Sequence, residues 1–141
     1  MKKQPLKLVL CIALVLCVLL PVQVYASESA EPEIIVQPMF TYIVNVSAGF
    51  EIESGQAIMS SAISAGSGID QVRITSYLQK YEDGAWSNVT SWTKLADGTY
   101  TSLSKTYSVA SGTYRLRSYF YVYINGSSVE STSVTTASRS C

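Results

Sequence analysis

Three stretches of the chain alternate between apolar and polar residues with the period of two that is typical of a β-strand. In residues 113–124 the apolar face contains Tyr114, Leu116, Phe120, Val122 and Ile124. In residues 72–81 it contains Val72, Ile74 and Leu78, and in residues 41–52 it contains Tyr42, Val44, Val46, Phe50 and Ile52. Because only one face of each stretch is apolar, the pattern predicts half-buried sheets, as in a sandwich or a barrel.

Turn signals divide the remainder of the chain at regular intervals. They are Ser54-Gly55, Gly66-Ser67-Gly68, Asp83-Gly84, Asp97-Gly98, Ser111-Gly112 and Asn125-Gly126. Seven strands are therefore predicted, near residues 41–53, 56–65, 71–82, 85–94, 99–109, 113–124 and 127–136. Asp83-Gly84 and Asp97-Gly98 lack the further oxygen ligands of a calcium loop, so both are predicted to be hairpin turns.

Seven strands in about 100 residues predict an all-β fold, a single immunoglobulin-like or fibronectin-like antiparallel sandwich. The entry Gly112-Thr113-Tyr114 resembles that of a tyrosine corner. However, the immunoglobulin cysteine pair is missing, and Trp86 and Trp92 lie in the fourth predicted strand instead of the third. A small barrel with the same number of strands therefore stays open.

The first 26 residues have the three parts of an export signal, which is expected to form a helix. Lysines precede an apolar run from Leu8 to Leu20, and a small-x-small pattern ends at Ala26, so we expect cleavage between Ala26 and Ser27. The predicted organisation is a signal peptide at 1–26, an acidic linker at 27–40, the sandwich at 41–137 and a tail at 138–141. The expected location is outside the cell, with no membrane attachment after cleavage.

Charge and composition restrict the chemistry. After residue 26 the chain has seven basic and ten acidic residues, and this net charge of −3 argues against nucleic acid and anionic membranes as partners. Histidine is absent from the sequence, which excludes Ser-His and Cys-His nucleophilic pairs and imidazole metal sites. Glu51 and Glu53 share a strand face, a pattern that favours solubility over acid/base catalysis. We predict no enzymatic activity, no metal site and no cofactor.

Cys141 is the one cysteine that follows the predicted signal peptide. An internal disulfide is then impossible, so the hydrophobic core must hold the domain together. An exposed thiol would allow a Cys141-linked dimer, but a frayed terminal residue is the preferred interpretation.

The polar faces of the third and sixth predicted strands have an unusual content of tyrosine and arginine. In an immunoglobulin-like sandwich these strands are neighbours, so their outward residues would form one patch. Tyrosine and arginine dominate contact surfaces, although they also pair across strands to shield a sheet. Trp86 and Trp92 are six residues apart and are expected on one strand face, with Trp92 in the core and Trp86 partly exposed. The candidate binding residues are Arg73, Tyr77, Tyr81, Trp86, Arg115, Arg117, Tyr119, Tyr121 and Tyr123.

Several segments carry a family resemblance: Leu78-Gln79-Lys80-Tyr81-Glu82-Asp83-Gly84-Ala85-Trp86, Ser91-Trp92, Gly112-Thr113-Tyr114-Arg115 and Tyr121-Val122-Tyr123-Ile124-Asn125-Gly126. With the Glu31-Pro32-Glu33 and Pro38-Met39-Phe40 steps, the chain resembles a family of short proteins of unknown function exported by clostridia-type Gram-positive bacteria. The resemblance implies a bacterial source and a secreted β domain, and it implies no site residues.

Two functions from different classes fit these features. The first is a non-catalytic extracellular or surface-associated module that is structural or binds a protein. The second is recognition of carbohydrate or cell-wall glycan through the tyrosine, arginine and tryptophan face. A secreted enzyme or toxin that uses carboxylates alone is a weaker third.

Overall fold

The computed structural model describes residues 39–141, so the predicted signal peptide and residues 27–38 of the predicted linker lie outside the described residues. The described part is all-β. Its strands are β1 (Ile43–Glu53), β2 (Gln56–Ala65), β3 (Gln71–Glu82), β4 (Ala85–Asp97), β5 (Tyr100–Ser108), β6 (Thr113–Ile124), β7 (Ser127–Thr135) and the two-residue β8 (Arg139–Ser140). No helix within residues 39–141 is long and apolar enough to cross a membrane.

Seven main strands form two antiparallel sheets that pack as a sandwich, as the sequence predicts. One sheet has the order β1-β2-β5, and the other has the order β4-β3-β6-β7, with β8 paired to β6. The predicted strand boundaries are accurate to within a few residues, and the largest difference is β4, which continues to Asp97. β3 and β6 are neighbours at the centre of the larger sheet.

Three of the connections are two-residue hairpin turns: Ser54-Gly55, Asp83-Gly84 and Asn125-Gly126. Both residues of each turn have positive φ, which matches the twist of the flanking strands and favours Gly at the second position. Asp97-Gly98 is different. It connects β4 in one sheet to β5 in the other, so the prediction of a hairpin there is wrong.

The hydrophobic core has two halves with a polar layer between them. One half contains Ile63, Ile74 and Phe120, and the other contains Met59, Leu78 and Leu116. Between them lie three buried serines from three strands, Ser61, Ser76 and Ser118. Their hydroxyl oxygens are 2.8 Å apart in the Ser61–Ser118 and Ser76–Ser118 pairs and 3.2 Å apart in the Ser61–Ser76 pair. This serine layer connects the two sheets, and alternation alone does not reveal it.

One residue predicted to be in the core is on the surface. Val44 is 71% exposed, whereas its neighbour Ile43 is 4% exposed. The register between β1 and β2 shifts between Ile43 and Asn45, so Val44 is the extra residue of a β-bulge and the strand changes face there. Phe50, further along β1, is buried as predicted.

Tyr114 lies at the start of β6, directly after the loop that crosses from β5 in one sheet to β6 in the other. Its side chain is 3% exposed, and its hydroxyl donates a hydrogen bond of 3.0 Å to the carbonyl of Ala110. A tyrosine at the start of this strand that bonds back to the preceding loop is the geometry of a tyrosine corner, which the sequence indicates.

Glu130 of β7 holds the beginning of β1 in the opposite sheet. Its carboxylate accepts hydrogen bonds from the backbone amides of Thr41, Tyr42 and Ile43, at 2.8, 2.9 and 2.7 Å. Burial raises the pKa of Glu130, but the backbone hydrogen bonds outweigh it and hold the pKa below its ordinary value. Nothing in the local sequence around Glu130 predicts this long-range contact.

Replacing Glu130→Gln is expected to lower the free energy of unfolding at pH 7 by about 1–2 kcal/mol, because charge-assisted hydrogen bonds are lost. A carboxyl whose folded pKa is lowered stabilises the fold above its unfolded pKa, and this contribution disappears as the pH falls through the folded pKa. The difference between wild type and variant should therefore shrink below the ordinary value of 4.5. Urea titrations at pH 7 and pH 3 measure it, with exposed Glu51→Gln as the control. A difference that stays constant between these two pH values would contradict the assigned role.

The last four residues are ordered instead of frayed. β8 pairs with the start of β6, and Cys141 exchanges backbone hydrogen bonds with Gly112, at 2.9 Å from its amide and 3.4 Å to its carbonyl. The prediction of a frayed terminal residue is therefore wrong, because sheet pairing fixes the backbone. The thiol of Cys141 is exposed and free.

Candidate functional site

The candidate site is the outer face of the larger sheet. β3 and β6 pair in an antiparallel register that places Arg73 opposite Tyr121 and Tyr77 opposite Arg117. Residues directly opposite in such a pair project on the same side of the sheet. The alternation that buries Val72 on one side of β3 therefore gathers arginine and tyrosine on the other.

This face contains an open groove with a volume of about 570 Å³. Its size lies within the range of small-molecule sites. The groove is lined by Arg73, Thr75, Tyr77, Gln79, Asn88, Thr93, Arg117, Tyr119 and Tyr121. Five of the nine predicted binding residues are in that set: Arg73, Tyr77, Arg117, Tyr119 and Tyr121.

The arginines of the groove lie over tyrosine rings. The Cζ atom of Arg73 is 4.3 Å from the centre of the Tyr121 ring and 5.4 Å from that of Tyr123. The Cζ atom of Arg117 is 5.1 Å from the centre of the Tyr119 ring. These distances are within the range of cation–π attraction, so the rings hold the guanidinium groups in place.

Two nitrogen atoms at the groove have no hydrogen-bond partner. The Nε atoms of Arg73 and Arg117 are buried and unpaired within residues 39–141. The groove lining includes no carboxylate, and the ion pair found in the described part of the chain is Lys80–Glu82, outside the groove. An unsatisfied buried N–H costs about 1–3 kcal/mol, so a ligand that reorients these arginines and supplies an acceptor would recover this free energy.

The other end of the predicted patch is already internally paired. Arg115 lies with its Cζ 4.1 Å from the centre of the Trp86 ring, and its Nε donates to Gln79 Oε1 at 2.9 Å. Gln79 Nε2 donates in turn to Asn88 Oδ1 at 2.9 Å. Tyr81 packs against Trp86, with ring centres 5.2 Å apart. At this end arginine and aromatic side chains stabilise the sheet.

Trp86 and Trp92 do not share a strand face, in contrast to the prediction. The pairing of β3 with β4 shifts between Leu78 and Gln79, which leaves Val89 as an extra residue on β4. This bulge turns Trp86 to the outer face, while Trp92 packs against both halves of the core. Trp92 is therefore a core residue as expected, and Trp86 is half-buried beneath Arg115.

β4 contributes residues to the groove that the sequence pattern does not predict. Asn88 and Thr93 reach it from that strand, on opposite sides of the bulge. Thr75 and Gln79 of β3 follow the outward alternation, so the sequence places both on this face, but nothing in the pattern distinguishes them from other outward polar residues. Asn88 and Thr93 had no such signal, because the bulge breaks the period of two.

A second cleft of about 640 Å³ lies between the edge strands β4 and β5. Trp92 and Leu103 line it together with serine, threonine and lysine side chains. Lys94 Nζ already donates a hydrogen bond of 2.9 Å to the carbonyl of Ser102 across the cleft. The charged group of Lys94 is therefore already hydrogen-bonded within the cleft, whereas the groove arginines Arg73 and Arg117 keep an unpaired Nε.

Glu51 and Glu53 are exposed on β1, which is an edge strand. No group of three or more Cys, Asp or Glu residues within the described range is placed to hold a metal ion. Among known proteins, no family model, no curated sequence and no solved structure matches the chain.

Proposed function

We propose that this chain is an exported, non-catalytic binding module whose ligand occupies the groove on the outer face of the β4-β3-β6-β7 sheet. The observation that carries the proposal is the pair of arginines, Arg73 and Arg117, whose Nε atoms are buried without a partner at an open groove. Cross-strand shielding alone does not explain unpaired Nε atoms there, because the shielding Arg115 has its Nε paired with Gln79. A purely structural role is the alternative.

The strand arrangement supports an immunoglobulin-like assignment for this module. β3 and β6 are neighbours in one sheet, and β1, β2 and β5 form the other, as in domains of that class. Tyr114 adds the hydroxyl-to-backbone contact of a tyrosine corner. Domains of this architecture commonly present binding surfaces, but the proposed site lies on a sheet face instead of in the loops.

Binding through the groove is tested with two double variants. We expect Tyr119→Ser with Tyr121→Ser to fold and to weaken binding by at least about 1 kcal/mol, because both rings support the groove arginines. Residues 27–141 are immobilised and exposed to Gram-positive cell envelopes and culture medium. Tyr100→Ser with Tyr107→Ser, on β5 of the other sheet, is the matched control. Equal retention of the same material by both folded variants would refute the groove as the binding site.

Export is also part of the proposal, and it predicts a specific mature protein. The small-x-small pattern that ends at Ala26 and the acidic residues after Ser27 support cleavage between these two residues. N-terminal sequencing of protein secreted from a Gram-positive host should begin at Ser27. Retention of the leader, or a start before residue 20, would contradict the predicted signal peptide.

A further inference from the structure

The groove has a positive charge that nothing in it neutralises. Arg73 and Arg117 line it from two different strands, and none of the other lining residues is acidic. The two arginines are four residues apart in register, which separates their backbones by about 14 Å along the strands. Two arginines at separate positions along the strands favour an extended ligand that carries more than one negative group.

The unpaired donors indicate the type of negative group. A guanidinium presents its Nε and one Nη hydrogen side by side, a geometry that matches the two oxygens of a carboxylate or a sulfate. Nε of both Arg73 and Arg117 is buried and unpaired, so a bidentate acceptor that draws each guanidinium toward the groove would satisfy this nitrogen. The tyrosine beneath each guanidinium would support it from the other side.

The remaining lining residues are neutral hydrogen-bonding groups. Thr75, Thr93 and Asn88 offer hydroxyl and amide groups beside the two arginines. Thr75 and Thr93 hydroxyls are 3.1 Å apart and exposed, so the second lone pairs of both oxygens stay available. Such groups suit the multiple hydroxyls of a sugar.

We propose, on the basis of the groove function proposed above, that the ligand is an anionic oligosaccharide with carboxylate or sulfate groups on neighbouring sugar units. The arginines bind the acidic groups, and the threonine and amide side chains bind the sugar hydroxyls. Neutral glycans are disfavoured because Arg73 and Arg117 already cover the tyrosine faces that would stack on a sugar ring.

An acidic peptide fits the site less well. Extended peptides usually gain affinity by pairing their backbone with an exposed strand edge. The groove lies across β3 and β6, whose backbones are each paired on both sides, so the sheet face offers a peptide no main-chain hydrogen bonds.

Calorimetric titration of residues 27–141 tests the ligand class with four probes: trigalacturonate, a heparin-derived hexasaccharide, maltohexaose and hexaglutamate. We expect at least one of the two acidic oligosaccharides to bind, more weakly as NaCl is raised, and maltohexaose and hexaglutamate to bind at least about tenfold more weakly. The two acidic oligosaccharides distinguish carboxylate from sulfate.

Two variants test the role of the arginines. Arg73→Gln with Arg117→Gln should weaken binding of the acidic oligosaccharide at least about tenfold. Arg73→Lys with Arg117→Lys should weaken it less, because lysine keeps the positive charge but loses the paired N–H donors of the guanidinium. Lys94→Gln with Lys105→Gln, which makes the same charge change at the β4–β5 cleft, should have no effect. Thermal unfolding checks that all three variants fold.

The outcomes separate this inference from the proposed function. Binding of maltohexaose or hexaglutamate as tight as that of the acidic oligosaccharides overturns the ligand class. If Tyr119→Ser with Tyr121→Ser abolishes the binding of maltohexaose or hexaglutamate, the groove is still the binding site, as proposed. Absence of binding to both acidic oligosaccharides also overturns the ligand class, and the envelope retention experiment then judges the groove by itself.

Discussion

Phe120→Asp is expected to unfold the domain. Phe120 is fully buried on β6 and contributes to the larger half of the core. Its replacement removes a large apolar side chain, at a cost of about 3–5 kcal/mol, and buries an unpaired carboxylate, which costs several kcal/mol more. The sum is comparable to the whole stability of a small domain, about 5–15 kcal/mol. Circular dichroism at 25 °C should therefore show loss of the folded signal.

The adjacent residue provides the control for this prediction. Tyr121 lies on the opposite side of β6, beneath Arg73 on the outer face. Tyr121→Ser should fold and lose only about 1 kcal/mol, the scale of the cation–π contact with Arg73. Equal thermal stabilities for Phe120→Asp and Tyr121→Ser would show that the two residues do not face opposite sides.

The serine layer is expected to respond non-additively to substitution. Three hydroxyls provide three protons, enough for one hydrogen bond along each side of the triangle that Ser61, Ser76 and Ser118 form. Ser118→Ala breaks the two shorter contacts and leaves buried hydroxyls incompletely satisfied, at a cost of about 2 kcal/mol. Replacing all three serines with alanine leaves no polar group behind, so its cost should be no greater than that of Ser118→Ala.

Urea unfolding of the single and triple variants measures this difference directly. Exposed Ser133→Ala on β7 is the control, and it should change stability by less than about 0.5 kcal/mol. A triple variant that loses about three times as much stability as Ser118→Ala would mean that the serines act independently, against the network seen in the structure.

The sequence predicts most of the fold because the same two signals recur along the chain. Alternation locates β1, β3 and β6, and glycine-containing turns separate their neighbours. The errors in predicting which face a residue occupies arise where a β-bulge inserts one extra residue into a strand. Val44 and Val89 are extra residues of bulges, and neither is marked by Gly or Pro, so the periodic pattern continues in sequence while the backbone changes face.

Long-range contacts explain the other misses. Glu130 meets the amides of Thr41 to Ile43 from almost ninety positions away, a contact that depends on how the two sheets pack. Asp97-Gly98 has the composition of a hairpin turn, but the chain there crosses between sheets. The local composition of a turn does not specify whether the next strand stays in the same sheet or crosses to the other one.

The candidate site was predictable as a face but not as a groove. Alternation places Arg73, Tyr77 and Arg117 outward, and the pairing of β3 with β6 brings them together. What the sequence does not reveal is that Arg115 is internally paired while Arg73 and Arg117 keep an unpaired Nε. That distinction depends on side-chain geometry across three strands.

The most direct test of the binding groove is a ¹H–¹⁵N correlation titration of residues 27–141 with trigalacturonate and the heparin-derived hexasaccharide, recording the arginine Nε–H signals. We predict that at least one of the two oligosaccharides shifts the Nε–H signals of Arg73 and Arg117, together with the nearby backbone amide signals of β3 and β6. The Nε–H signal of Arg139 should stay unchanged. Shifts centred on Trp92 and Ser102 at the β4–β5 cleft would contradict the assignment of the groove as the binding site. No localised shifts with either probe would contradict the anionic oligosaccharide as its ligand.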